Sequence, residues 1–364
     1  DVYKRQPVER YSARPEDIVD FGTVMPRRYP VRIPMQTPPG CIPVTEVTWS
    51  CPSGNVHNVP DTSPLAVCVG EGLVSFVPAT AAPLEDVRTF HRSLAGAEWN
   101  TAIALASAGI RTAVVSRVGD DGFGRFLTAE LRRHEVDDSA VDVDAEAPTG
   151  LYVKELSPRP DGSVDGTMHY YRSGSAAAAL SPATLESPAA SVLLGQAALV
   201  HTSGITPALS ASARAAQDAL FDAPRDGRLL SFDVNWRPAL WRGRQDEGRA
   251  VISDYVRRAD IAFCTRLDAE SVFGTAEPDR LRELFPEPRY LLATSPDGAV
   301  AFDGAERTDS RSLDVPVVES IGAGDAFAAG FLAGVLTGLS LTGSLARAHR
   351  IATRALVTTR DHID

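Results

Sequence analysis

Cysteine is scarce: Cys41, Cys51, Cys68 and Cys264 are the four in 364 residues, and no two share CxxC spacing. That spacing is what a compact zinc site or a dense disulfide framework needs, so neither is indicated and a reduced, cytoplasmic setting is expected. Excess positive charge is also missing. A formal net charge of −11 and a pI near 5.2 argue against a general nucleic-acid or anionic-membrane binder and point to small-molecule partners. No apolar run approaches the ~20 residues of a membrane span. The longest candidate, Ala326 to Leu336, covers 11 residues, and its Gly330-xxx-Gly334 spacing predicts close packing of a soluble helix. Neither a signal peptide nor an anchor is read. A Walker GxxxxGK[ST] loop, a protein-kinase HRD or DFG set and an HExxH zinc helix are all absent, as is any internal repeat of about 20 to 50 residues.

At 44% hydrophobic, the chain can bury a large α/β core with a small appendage. Residues 1–62 differ from the rest: they hold ten of the 26 prolines and clusters such as Pro38-Pro39-Gly40, which predicts an irregular leader. The opening Asp1-Val2-Tyr3-Lys4-Arg5-Gln6, without an initiator methionine, reads as translated flanking sequence and is set aside. A second domain-like unit, 63–364, follows. Strands are expected at Leu65–Val69, Leu73–Val77, Thr112–Ser116, Ala198–His201, Leu229–Asp233, Ile261–Cys264, Tyr290–Thr294 and Val300–Phe302. Helical patterns such as Asn100–Ala108 and Phe126–Arg133 fall between most of them. Runs at Leu151–Leu156 and Met168–Arg172 flank a turn-rich segment and predict a hairpin outside the main sheet. Alternating β and α elements predict a doubly wound, mainly parallel sheet, with ligands beyond the strands' C-terminal ends.

Val317 to Gly330 joins a β-branched stretch, a glycine turn, one carboxylate and an alanine-rich helix. The backbone amides of Gly322, Ala323 and Gly324 would face outward at a helix start, where unpaired N–H groups and the helix dipole favour a phosphate or oxyanion. A carboxylate repels phosphate, so Asp325 would serve to take a proton from an attacking hydroxyl. The other reading is a helix cap.

Gly119-Asp120-Asp121-Gly122-Phe123-Gly124 has GxxGxG spacing, not the GxGxxG of a dinucleotide fold, and reads as a tight turn. Gly96-Ala97-Glu98-Trp99-Asn100 is either a turn with Asn100 at a helix cap or a polyol-binding turn. Asp233, Asn235 and Arg237 alternate where a strand emerges, and extended backbone would put them on one side. There Arg237 could hold a carboxylate bidentately or close a salt bridge at the strand end. His169-Tyr170-Tyr171-Arg172 is either an amphipathic edge strand or a set of tips closing over a sugar acid.

Together these segments resemble the ribokinase-like (PfkB) carbohydrate kinases, and within them the 2-keto-3-deoxygluconate kinase branch, over about residues 64 to 360. Gly96 to Asn100 is similar to that branch's GAExN turn, Gly119 to Gly124 to its VGDDxFG signature, and Glu319 to Asp325 to its DTxGAGD signature. The resemblance implies a three-layer α/β/α fold with a small β lid from segments near 73–95 and 151–172. It also implies ATP-dependent, Mg²⁺-assisted phosphorylation of a sugar-acid hydroxyl. Asp325 would be the base, and Gly322, Ala323 and Gly324 the anion hole. Gly96, Asn100, Tyr152, Tyr170, Arg172 and Arg237 would contact the sugar, the last two at its carboxylate. Thr294, Gly298, Gly322, Gly324 and His349 would contact ATP, and Asp268 would support Mg²⁺ indirectly. The exposed lid edge would allow a homo-oligomer. The chain departs from the pattern at Glu319-Ser320, where Asp-Thr is usual, and at Thr265, Ser295 and His349, where Asn, Gly and Asn are usual. Other kinases of the same fold, of fructokinase, ribokinase or 5-dehydro-2-deoxygluconokinase type, and a non-catalytic sugar-binding regulator are the alternatives.

Overall fold

The computed structural model describes residues 63–158, 164–315, 317 and 321–357. The expectations for the leader 1–62 and for the Glu319-Ser320 pair lie outside the described residues. Nine strands form one sheet: β1 (Leu65–Val69), β4 (Arg111–Gly119), β5 (Asp137–Asp144), β8 (Ala197–Ser203), β9 (Leu229–Asp233), β10 (Ile261–Thr265), β11 (Tyr290–Ser295), β12 (Gly298–Asp303) and β13 (Glu306–Arg311). Their order is β13-β12-β11-β10-β9-β8-β1-β4-β5, parallel except for β12 and β13. The chain runs from β1 outward to β4 and β5, then returns to the other side of β1 at β8. The switch point between β1 and β8 opens the crevice in which such folds bind ligands.

Alternation along the central strands feeds two cores. Ala66, Cys68, Val114, Leu199, Phe263 and Leu292 face one layer, with the helices α1 (Ala97–Ser107), α2 (Gly122–Arg133), α10 (Ala323–Leu336) and α11 (Leu341–Leu356). Val67, Val115, Val200, Phe232 and Leu291 face the other, with α4 (Pro188–Gln196), α6 (Ala211–Asp222), α7 (Gln245–Arg258), α8 (Arg266–Phe273) and α9 (Pro278–Leu284); the single turns α3 (Pro182–Leu185) and α5 (Thr206–Leu209) complete the set. Burial on both faces is why these strands read as continuous apolar runs. The edge strands β5 and β13 are mostly polar (DDSAVDVD and ERTDSR). An edge strand buries little, so no hydrophobic period marked either one in advance.

A second sheet of four strands, β3-β2-β6-β7, is made by β2 (Leu73–Pro78), β3 (Phe90–Ala95), β6 (Leu151–Pro158) and β7 (Val164–Tyr171). Where α10 meets α11 the backbones come close: a Cβ at Gly330 would lie 2.6 Å from Ala348 Cα, and one at Gly334 2.5 Å from Ser344 Oγ. The glycine pair thus lets α10 and α11 pack closely. Among the described residues no helix is long and apolar enough to cross a membrane.

Candidate active site

Helix α10 begins at Gly322, whose φ of 77° lies in the left-handed region that glycine enters without a Cβ clash. No side chain caps the helix. Its first internal bond runs from Ala326 N–H to the Gly322 carbonyl (2.9 Å), so the amides of Ala323, Gly324 and Asp325 have no helical acceptor. Asp325 is therefore not the cap. Its Oδ2 accepts a hydrogen bond from Asn100 Nδ2 at 2.8 Å, and its backbone carbonyl accepts one from the Thr101 hydroxyl at 3.4 Å. Burial pushes the Asp325 carboxyl up to about 8; the Asn100 hydrogen bond opposes this and the charge of Asp233 adds to it.

Asn100 does not cap α1 either, because the helix starts at Ala97 with Gly96 as N-cap. At Gly96, φ is 126° and a Cβ would meet the Glu71 carbonyl oxygen at 2.2 Å, so only glycine closes this turn. The early start places Asn100 in the second turn, aimed at α10. Two positions earlier, Glu98 is fully buried. Its Oε1 accepts from Ser203 N–H (3.0 Å), Ser203 Oγ (2.7 Å) and Thr206 Oγ1 (3.1 Å), and burial raises its pKa.

The second sheet contributes Tyr152 on β6 and Tyr170 on β7, and Arg172 directly follows β7. The two rings lie 5.3 Å apart, and the Arg172 guanidinium sits 4.4 Å over Tyr170. Arg172 was expected as a cation free for a substrate carboxylate. Instead its Nη1 donates to Glu71 Oε2 at 2.7 Å, with both side chains buried. Burial raises the Glu71 pKa and the Arg172 charge opposes it.

Across the cavity, β9 stops at Asp233, and Asn235 turns with φ 35°. The segment is not extended, and the turn rather than strand alternation brings Asp233, Asn235 and Arg237 to the same cavity wall. Arg237 is exposed and donates to the Trp236 carbonyl at 3.1 Å. Asp268, in the first turn of α8, faces the same space. Burial, with Asp268 nearby, lifts the Asp233 carboxyl to about 7 against the pull of Arg237, and burial raises Asp268 as well.

These groups line one cavity of about 260 Å³. It takes in Gly96, Asn100, Tyr152, Tyr170, Arg172, Arg237, Asp268, Gly322, Gly324 and Asp325 from the sequence reading, but not the Ala323 side chain. Thr294, Gly298 and His349 lie elsewhere. Gly298 lines a second, more open depression with Arg266, Ser295, Ser310 and Arg311. Thr294 Oγ1 donates to the Cys264 carbonyl (3.4 Å), and His349 Nε2 pairs with Ser310 Oγ (2.9 Å), its ring edge-on to Phe327. Glu71 and Glu98 were not singled out from the sequence. The signal was available: each is an acid in a small-residue turn just where a buried element ends or begins. Glu71 Oε1, Glu98 Oε2, Asn100 Oδ1 and Asn235 Oδ1 are buried with no hydrogen-bond partner among the described residues. All four residues line the cavity. A wall of unpaired acceptors suits a ligand that presents several hydroxyl donors.

An uncapped helix N-terminus beside a buried carboxylate, at the switch point of a doubly wound sheet, defines an enzyme that moves a phosphoryl group onto a hydroxyl-rich small molecule. The chain belongs to the pfkB family carbohydrate kinases, whose family profile matches residues 63–361. It is 36% identical over 297 residues to the 2-dehydro-3-deoxygluconokinase of Thermoproteus tenax, covering 80% of this chain and 87% of that one. With the Fructokinase-1 of Oryza sativa subsp. japonica it shares 36% identity over 275 residues, 74% of this chain and 82% of that one. The crystal structure of a PfkB protein from Polaromonas sp. JS666 superposes with a TM-score of 0.72 at 30% identity, covering 80% of this chain and 96% of that one.

Proposed function

We propose that this carbohydrate kinase phosphorylates a sugar acid, 2-keto-3-deoxygluconate to its 6-phosphate, with ATP as donor, and that the unit 63–364 carries the activity. The observation that carries the reading is Asp325: its carboxylate is fixed by Asn100 at the open N-terminus of α10, facing a cavity that also holds Arg172 and Arg237. Asp325 takes the proton from the sugar hydroxyl as that oxygen bonds to the γ-phosphorus and the bridging P–O bond to ADP breaks. The amides at Gly322 to Gly324 face the phosphoryl oxygens, where their dipoles stabilise charge without reorganising. The lid excludes water that would otherwise accept the phosphoryl group.

No cluster of three or more metal-ligating side chains occurs among the described residues. Mg²⁺ commonly takes one or two carboxylates and keeps waters and phosphate oxygens for the rest. Asp233 and Asp268 fit that pattern, since both line the cavity and each has its charge disfavoured by burial, at Asp233 by the charge of Asp268 as well. The ion, when bound, neutralises charge on the transferring phosphate. The buried free thiols of Cys68 and Cys264 support a reducing, cytoplasmic setting. Tyr171, 64% exposed on the lid strand β7, supports a homo-oligomer through the lid.

A second reading, a neutral sugar as acceptor, draws on the Glu71 pairing, which occupies one of the two cations the acid would use. ADP release from Mg-ATP against sugar acids and matching neutral sugars separates the two. Turnover on the acids is expected; turnover on neutral sugars alone refutes the sugar-acid assignment, and silence with sugar binding intact refutes the kinase mechanism.

A further inference from the structure

Glu71 lies in the crossover from β1 to β2, where the chain first enters the lid, and Arg172 directly follows β7, where it leaves. Their ion pair joins the first and the last of the four crossings of the chain between the two sheets. Its geometry uses only half of the carboxylate. Oε2 takes Arg172 Nη1 at 2.7 Å and the Ser175 hydroxyl stands close enough to favour the ionised carboxyl, while Oε1 is buried with no donor at hydrogen-bond geometry among the described residues. Side-chain exposure is 2% for Glu71 and 7% for Arg172, so neither group draws on bulk water. Gly150 packs beside the same oxygen: a Cβ there would sit 3.4 Å from Oε1 and 2.7 Å from Leu73 Cδ2, so no side chain fits between Gly150 and the carboxyl, and Glu71 itself lines the cavity. A buried acceptor left unpaired is costly, and a carboxylate oxygen is among the strongest acceptors a site can offer.

We propose that Glu71 is a specificity-determining residue: Oε1 accepts a hydrogen bond from one hydroxyl of the sugar while Oε2 holds Arg172 over Tyr170. This rests on the sugar-kinase reading above. The pair presents an acceptor and a cation side by side, so it reads a hydroxyl together with an oxygen-rich neighbour, and an analogue lacking that hydroxyl leaves Oε1 buried and unpaired. Glu98 carries a comparable orphan oxygen, but its other oxygen is held by three donors from β8 and α5, which makes it an anchor for α1.

The test is a set of steady-state rates for the wild type, Glu71→Gln and Glu71→Asp with Mg-ATP. The acceptors are the preferred sugar and analogues that each lack or invert one hydroxyl. The wild type should lose about 10- to 100-fold in kcat/KM on one analogue. Glu71→Gln should lose a similar factor on the parent sugar, mainly through KM. Its discrimination against that one analogue should collapse to within about threefold, because two losses that share one contact do not add. The KM for ATP should not move. Discrimination is a ratio within each variant, so partial unfolding does not imitate it, and calorimetric Kd values on the same panel give the ratio for any variant too slow to assay. Wild-type discrimination on every analogue in Glu71→Gln would overturn the proposal and leave Glu71 as a scaffold for Arg172. Turnover confined to neutral sugars would overturn the sugar-acid assignment alone, since the ratio remains readable on them.

Discussion

Replacing Asp325 with asparagine should cost activity and add stability, and the two effects have one cause. The carboxyl is 8% exposed, and burial raises its pKa from 3.8 to about 8. The folded protein thus binds this proton more tightly than the unfolded chain does. The associated stability is fully present below about pH 4 and is withdrawn progressively as pH rises to about 8. At about 1.4 kcal/mol per pH unit, that interval sets a ceiling on the order of 5 kcal/mol. Asparagine keeps an oxygen to accept the Asn100 bond and has no proton to lose. Urea denaturation should therefore show Asp325→Asn equal to the wild type near pH 4 and more stable by several kcal/mol near pH 9. Turnover should fall by a factor on the order of 10² to 10⁴, as expected for a deleted general base. The wild-type kcat/KM should rise with pH toward about 8, and the residual rate of the variant should lack that limb. Near-normal turnover, or a variant less stable than the wild type at alkaline pH, would refute the reasoning.

Arg172→Ala should lower stability by about 3–5 kcal/mol, because it strands the buried Glu71 charge. Arg237→Ala, at an exposed position, should stay within about 0.5 kcal/mol while raising KM for acid substrates; thermal melts beside KM values check both. A Cβ at Gly324 would meet nothing within 4 Å. Gly324→Ala should therefore leave the melting temperature nearly unchanged yet reduce kcat/KM for ATP about tenfold or more, because the new methyl occupies ligand space. Gly330→Val should lower stability by about 1–3 kcal/mol, since α11 backbone stands 2.6 Å from the new Cβ, and a denaturation midpoint reads it.

Much of the fold was legible wherever burial is two-sided. Leu65–Val69 and Leu229–Asp233 match β1 and β9 residue for residue, and the other central strands differ from expectation only at their ends. Polar edges were not legible, because β5 and β13 bury too little to imprint a period. In the site, Asp325 and its glycine turn stood out because a lone carboxylate at a glycine-rich helix start has few structural uses. Asn100 was singled out with a helix cap and a polyol-binding turn both open, and nothing local could decide between them, because the bond that employs it spans 225 positions of sequence.

The sequence by itself determined the alternation of strands and helices, the open start of α10 and the carboxylate proposed as the base, since each depends on local patterning, on glycine's backbone freedom and on one side chain's chemistry. Tertiary structure alone decided which charges meet. Glu71 and Arg172 lie 101 positions apart, one before β2 and the other after β7, and nothing local to either indicates the other. Burial then set the proton affinities of Asp325, Asp233 and Glu71, because desolvation is a property of the closed core and not of any segment within it.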